Sequence, residues 1–278
     1  LLEDVGELEN TLIVFSSDHG MPFPRAKGQS YYFSNKVPLA MMWKEGIRNP
    51  GRVVKDYVSL VDLAPTFIEL AGLQWEQTGM QPTPGLSLTD ILFSNRSGQV
   101  NPARDHVLLG KERHDIGRPN DWGYPIRGIV KDQMLYIYNF EIARWPAGNP
   151  ETGYLNVDGS PTKTQVLQGF KDPEFKKFWE VCFGKRPLEE LYNLEEDPDC
   201  LINLSSLSEY KEVKDLLKLQ LFEELELQGD PRMLDEGHIF DEYTYSSPNF
   251  RNFYERFMSG EKLQPGWVNK SDFQALSR

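Results

Sequence analysis

Thr11-Leu-Ile-Val-Phe-Ser-Ser-Asp-His-Gly20, followed by Lys27, is the stretch on which the reading of this chain turns. An apolar run, Leu12 to Phe15, breaks off into two serines, Asp18, His19 and Gly20. A buried strand of an α/β sheet delivers polar groups to its carboxyl edge in this way, and such folds hold ligands there. Adjacent residues of an extended strand point to opposite faces. At a strand end that turns on a glycine, Asp18 and His19 can converge on one cation. A carboxylate and an imidazole suit a metal, and an ammonium beside them suits an anion. Together they point to hydrolysis of a charged ester or sulfamate. The plain alternative is a polar turn followed by a solvated lysine.

Composition sets the outer limits. The 278 residues, 39% of them hydrophobic and 12% aromatic, suffice for one large domain or two smaller ones. The formal net charge is −12, from 42 acidic and 30 basic residues. That argues against nucleic acid or an anionic membrane as partner, and leaves room for a local basic pocket. No apolar run is long enough for a membrane-spanning helix. The two cysteines, Cys182 and Cys200, can pair or remain free thiols. The first ten residues read as the last turns of an amphipathic helix entering a strand, without an initiator Met. A fragment of a longer protein is therefore expected.

Along the chain, residues 21–36 read as an irregular functional loop and Val37 to Trp43 as a second buried strand. Val58 to Leu70 reads as a helix capped by Asp62 and stopped by Gly72, and Leu88 to Phe93 as a short helix. His106 to Leu109 is expected as a strand, with a β-hairpin formed by Ile126–Lys131 and Gln133–Phe140. Residues 144–172, rich in Trp, Pro and Gly, form a long loop, functional or loosely ordered. Asp172 to Cys182 is expected as a helix and Glu189 to Leu194 as a short strand. Val213, Leu216, Leu217, Leu219, Leu221 and Leu225, on or near one stripe, mark an amphipathic helix over Glu209–Gln228. Residues 229–278 read as a Pro-broken wrapping tail.

Ser17-Asp-His-Gly20, Pro22-Phe-Pro24, Lys27 and Val37-Pro38 resemble the sulfatase family of the alkaline-phosphatase-like superfamily, nearest to its N-sulfoglucosamine sulfohydrolase group. Tyr57-Val-Ser-Leu-Val-Asp-Leu-Ala-Pro-Thr66 resembles the helix that follows the core strands in that family. Gly110-Lys-Glu-Arg-His114, Gly123-Tyr-Pro-Ile-Arg127, and Tyr138 through Gly148 resemble its N-sulfatase-like branch. Pro187 through Pro198, then Asn203-Leu204, resemble its small C-terminal sheet and helix. The resemblance covers about residues 1–235.

The resemblance implies an α/β fold: residues 1–104 as the C-terminal portion of the sulfatase core, 105–245 as a subdomain with an antiparallel sheet and a packed helix, and 246–278 as the tail. It implies covalent hydrolysis through a formylglycine with Lewis-acid support from a divalent metal. Asp18 matches a metal-binding Asp, and His19 the neighbouring ligand position. Lys27 matches the cation on the sulfate and the nucleophile, the catalytic role. Arg113 and His114 fall where a loop reads the substrate; His114 would contact a sugar hydroxyl or help to protonate a leaving amine. Arg127 would hold a carboxylate or sulfate, or else pair with an acidic residue of the chain. Ca2+ is the metal implied first, while the nitrogen of His19 also admits Mn2+ or Zn2+. The substrate implied is a sulfated glycan of the N-sulfoglucosamine kind. The location implied is secreted, periplasmic or lysosomal.

The chain departs from the family pattern in one large respect. The Cys/Ser-x-Pro-x-Arg motif that carries formylglycine does not occur, and neither does the N-terminal Asp pair that completes the metal site. The chain therefore resembles the C-terminal half of a sulfatase, expected to need the N-terminal half of the same protein and to be inactive alone. Half a core sheet is expected to leave apolar surface exposed. The competing readings are a phosphonate or phosphate ester hydrolase of the same superfamily, and an inactive glycan-binding fragment.

Overall fold

The structure is a computed structural model and describes residues 1–275. The strands are β1 (Ile13–Ser16), β2 (Leu39–Met42), β3 (His106–Lys111), β4 (Ile126–Lys131), β5 (Met134–Asn139) and β6 (Glu189–Asn193). The helices are α1 (Tyr32–Asn35), α2 (Leu63–Leu70), α3 (Thr89–Leu92), α4 (Pro161–Gln168), α5 (Lys176–Phe183), α6 (Lys211–Leu227), α7 (Ile239–Glu242) and α8 (Phe253–Met258), with short 3-10 turns between them. The chain forms two compact units. The first takes Leu1–Asp18 and Pro38–Leu108, and the second takes His19–Val37 and Leu109 onward.

In the first unit β1 and β2 pair antiparallel, Ile13 opposite Met42 and Ser16 opposite Leu39. Neither strand is buried as its sequence suggests, and Phe15 is 66% exposed. Among the described residues this sheet has two strands, so each strand has one neighbour. An open groove of about 490 Å³ runs beside it, lined by Leu12, Val14, Trp43, Phe67 and Leu70. The core of this unit is Leu88, Ile91, Leu92 and Val100, with Leu39, Met41 and Leu63 packed on it. Asp62 does not cap α2. Its carboxylate takes the N–H groups of Ser59 and Leu86 and pairs with Arg104 at 3.1 Å, which ties three segments together. Residues 1–10 form loose turns rather than a helix, and Gly6 lies in the left-handed region.

The second unit is built on a sheet of order β3-β4-β5-β6. The expected hairpin is present, with Ile126 opposite Asn139 and Lys131 opposite Met134. Residues of β5 alternate between two coverings. Leu135 and Ile137 join Tyr31, Tyr124, Ile126, Tyr192, Leu194 and Cys200 in one core. Tyr138 meets Phe222 of α6 edge-on at 5.2 Å, and the Tyr136 hydroxyl donates to Glu189, which also pairs with Lys214 and Lys218 of α6. The buried Glu190 accepts from the hydroxyls of Tyr31 and Tyr192 and from the Asn139 amide. Both cysteines are free.

Residues 144–172 depart most from their sequence reading. They contain α4, whose start carries a signal: Ser160 accepts from the Lys163 N–H and Pro161 occupies the first turn. The preceding loop is packed inside the unit, with Ala147, Tyr154, Leu155 and Val157 fully buried. Buried backbone needs partners, and a lysine supplies them. Lys163, without solvent exposure, donates to the carbonyls of Gly153, Tyr154 and Val157 and faces Asp272 of the tail at 3.4 Å. Removing one partner of a buried pair leaves a bare charge and typically costs about 3–5 kcal/mol. Asp272→Ala is therefore expected to lower unfolding free energy by that order in denaturant titration. A change under about 1 kcal/mol would show that the clasp does not hold the loop.

Candidate active site

The second unit gathers a group of charged side chains around Gly28. This glycine lies at φ +72°, and a Cβ there would stand 2.6 Å from His114 Cδ2 and 2.8 Å from the Asn156 carbonyl oxygen. Only a bare backbone in the left-handed region passes this gap. The crossing sets Lys27 beside the buried loop, where its Nζ donates to Asp158 Oδ2 at 2.7 Å. The two side chains are 22% and 33% exposed, so the pair remains open to a solute. Lys111, at the end of β3, donates to the Gly28 carbonyl from the other side.

The charges around this crossing act on one another. His114 is held down to about 4, by its packed surroundings first and then by the charges of Lys111, Lys27 and Arg118. Burial lifts Asp115 to about 6 against the pull of its backbone hydrogen bond to Ile116 and of Arg118. Burial, then Arg118 and Arg186, push Lys111 well below the usual lysine range. Arg118 is 1% exposed and donates to the carbonyls of Trp145 and Pro146 and to the Asn156 side chain.

Of the residues singled out in the sequence, Lys27 and His114 meet here. Arg113 is tied elsewhere, donating to the carbonyls of Asp121 and Tyr243 and lying over the Tyr245 ring. Arg127 is clamped by two carboxylates, with Nη2 2.6 Å from Glu112 and Nε 2.5 Å from Asp230. Its charge is met by residues of the chain. Asp18 falls in the first unit and His19 in the second. Lys111, Asp115 and Asp158 were not singled out. Lys111 and Asp115 lie within or next to the Gly110–His114 segment that was, whereas Asp158 lay in a loop whose burial has no sequence signature.

A carboxylate and an imidazole, Asp18 and His19, are of the donor types that suit a divalent metal. The Nδ1 of His19 donates to the Gly20 carbonyl oxygen at 2.6 Å. Gly20 is enforced, since a Cβ there would run into the Phe33 carbonyl. Among the described residues no group of three or more His, Cys, Asp or Glu side chains can hold a metal.

Residues 1–73 match the family model described as Sulfatase. The structure aligns with a protein solved in complex with D-glucosamine-2-N,6-O-disulfate, described as its substrate, at a TM-score of 0.53. That alignment has 20% identity and covers 83% of this chain and 37% of that one. The fold is that of the sulfatases, and the family match itself falls on residues 1–73. It is 23% identical to human N-sulphoglucosamine sulphohydrolase, over 79% of this chain and 42% of that protein. It is 40% identical to human N-acetylglucosamine-6-sulfatase, over 86% of this chain and 40% of that protein. The chain thus spans about two fifths of the length of these relatives.

His114 and Asp115 make opposite contributions to stability against pH. The native state disfavours a proton on His114 between about 4 and the ordinary value of 6.5, so its contribution is present above 6.5 and lost as pH falls through 4. It favours a proton on Asp115 between 3.8 and about 6, so that contribution is present below 3.8 and lost as pH rises through 6. The two nearly cancel from pH 4 to 6. Asp115→Asn is expected to make stability fall more steeply on acidification than in the wild type, and His114→Gln less steeply. Parallel curves of unfolding free energy against pH for all three proteins would contradict these assignments.

Proposed function

We propose that this chain is the C-terminal part of a metal-dependent sulfatase that hydrolyses a sulfate ester or sulfamate of a glycan of the N-sulfoglucosamine kind. The observation that carries the reading is the Lys27 ammonium, fixed by Asp158, open to a solute and set beside His114 by the Gly28 crossing. The likeness to sulfatases over most of the chain supports the reaction class. The exposed Phe15 of β1 and the groove beside that strand support an upstream half of the same protein as the missing partner. The compartment we propose is secreted, periplasmic or lysosomal; among the described residues no helix is long and apolar enough to cross a membrane.

In this reading Asp18 and His19 hold the divalent metal together with ligands from the upstream half. When bound, the metal supplies Lewis-acid polarisation of a sulfate oxygen. Ca2+ suits the oxygen donors of the family, and the imidazole nitrogen of His19 favours a softer ion such as Mn2+ or Zn2+. The nucleophile, a formylglycine by resemblance, belongs to the upstream half. Lys27 stabilises the negative charge on the transferring group, and a fixed ammonium does so without reorganising during the reaction. Asp158 keeps that ammonium aimed. His114 is neutral at pH 7, since it titrates near 4. It therefore serves as a hydrogen-bond partner for a sugar hydroxyl rather than as a proton donor. Asp115, which titrates near 6, is the better placed acid in a mildly acidic compartment.

The test is sulfate release from N-sulfated and 6-O-sulfated glucosamine by the longer polypeptide that joins this chain to its upstream segment. Lys27→Met is expected to lower release about 100-fold or more, the scale of losing one preorganised charge-stabilising donor. A chelator is expected to abolish it, and the 278-residue chain alone is expected to release none. Unchanged release in Lys27→Met, or turnover by the chain alone, overturns the assignment.

A further inference from the structure

Lys111 has an unusual environment. Its Nζ donates to the Gly28 carbonyl, and it lies 5.9 Å from the centre of the Tyr124 ring. Among the described residues no carboxylate pairs with it. The charges that act on it most are those of Arg118 and Arg186, both buried and both cationic. Arg118 is likewise met by neutral acceptors. Arg186 donates to the carbonyls of Glu180, Val181 and Cys182. The buried Glu190 offsets Arg186, which leaves Lys111 and Arg118 as the neighbouring cations without a paired carboxylate among the described residues of a protein of net charge −12. Buried charge without a counter-charge is costly, and an anion is what relieves it.

A second observation points the same way. The hydroxyl of Tyr124, the ring beside Lys111, is buried without a hydrogen-bond partner. So is the side-chain NH2 of Gln29, one residue beyond the carbonyl that Lys111 bonds. Buried donors are normally satisfied, and unsatisfied ones mark a site that something else completes. The set is rich in donors: an ammonium with protons to spare, a phenol and an amide. Its complement is a group with several acceptor oxygens and negative charge. Lys27 precedes Gly28 directly, and both ammonium groups act on the same His114 ring.

We propose that Lys111, Tyr124 and Gln29 bind a second anionic oxygen group of the sugar, a carboxylate or sulfate other than the one opposite Lys27. The substrate is thereby a glycan carrying at least two acidic groups, and Lys111 is a specificity-determining residue. The inference rests on the sulfatase reading for the role of Lys27.

Binding to the 278-residue chain tests it by calorimetry with four ligands. They are glucosamine N-sulfate, glucosamine-2-N,6-O-disulfate, a uronyl-glucosamine N-sulfate disaccharide, and that disaccharide as its uronate methyl ester. The wild type is expected to bind at least one doubly charged ligand about tenfold or more tighter than its singly charged counterpart, the scale of one charge-assisted contact. Lys111→Gln is expected to erase that preference and Lys111→Arg to retain much of it, with thermal midpoints confirming that both variants fold. Preference for the disulfate assigns the second group as sulfate, and preference for the free uronate assigns it as carboxylate. Equal wild-type affinity across the set, no binding by the wild type, or an equal loss for every ligand in Lys111→Gln overturns the proposal. A longer polypeptide that releases no sulfate, while Lys111 still discriminates, sinks the sulfatase reading and leaves the subsite standing.

Discussion

The candidate site depends on one steric constraint, the passage of Gly28 between the His114 ring and the Asn156 carbonyl. A side chain at that position would overlap both. Because the backbone can pass, the loop after β1 reaches the core of the second unit, and three segments far apart in sequence contribute to one charged group. Lys27 comes from that loop, Lys111 and His114 from the end of β3 and the turn after it, and Asp158 from the buried loop before α4. The Lys163 clasp stabilises the third of these, since it satisfies the carbonyls of Gly153, Tyr154 and Val157 just ahead of Asp158.

Electrostatics then sorts the arginines and lysines by task. Arg127, Arg144 and Arg232 each face carboxylates of the chain and are committed to structure. Arg104 is likewise committed to Asp62 within the first unit. Lys111 and Arg118 have no such partner, and burial first, then the charges of Lys111, Lys27 and Arg118, holds the neighbouring imidazole neutral. Perturbed groups set in an accessible cluster are the usual mark of a binding or reacting site. That contrast separates the cations paired with carboxylates of the chain from those held by neutral acceptors.

Much of the fold was legible because its signals are local. The hairpin announced itself by the alternation of Met134, Tyr136 and Tyr138, and α6 by its leucine stripe. Lys27 and His114 were legible through family motifs. Asp158 and Lys163 were not, because burial of a polar loop depends on distant partners such as Asp272, which no sequence window contains. Arg127 reads identically in sequence whether it faces a ligand or Glu112 and Asp230. The two strands of the first unit read as buried, because their apolar composition reports a capacity for burial rather than the neighbours that supply it.

The central claim is that Lys27, held by Asp158, faces the sulfate of a sulfated amino sugar. Lysine side-chain NMR of the chain during titration with glucosamine N-sulfate tests it most directly. The account predicts a saturable shift of the Lys27 ammonium signal, with the exposed Lys44 unmoved. A Lys27 signal that stays in place while the sugar binds elsewhere, or that moves only in step with Lys44, would contradict it.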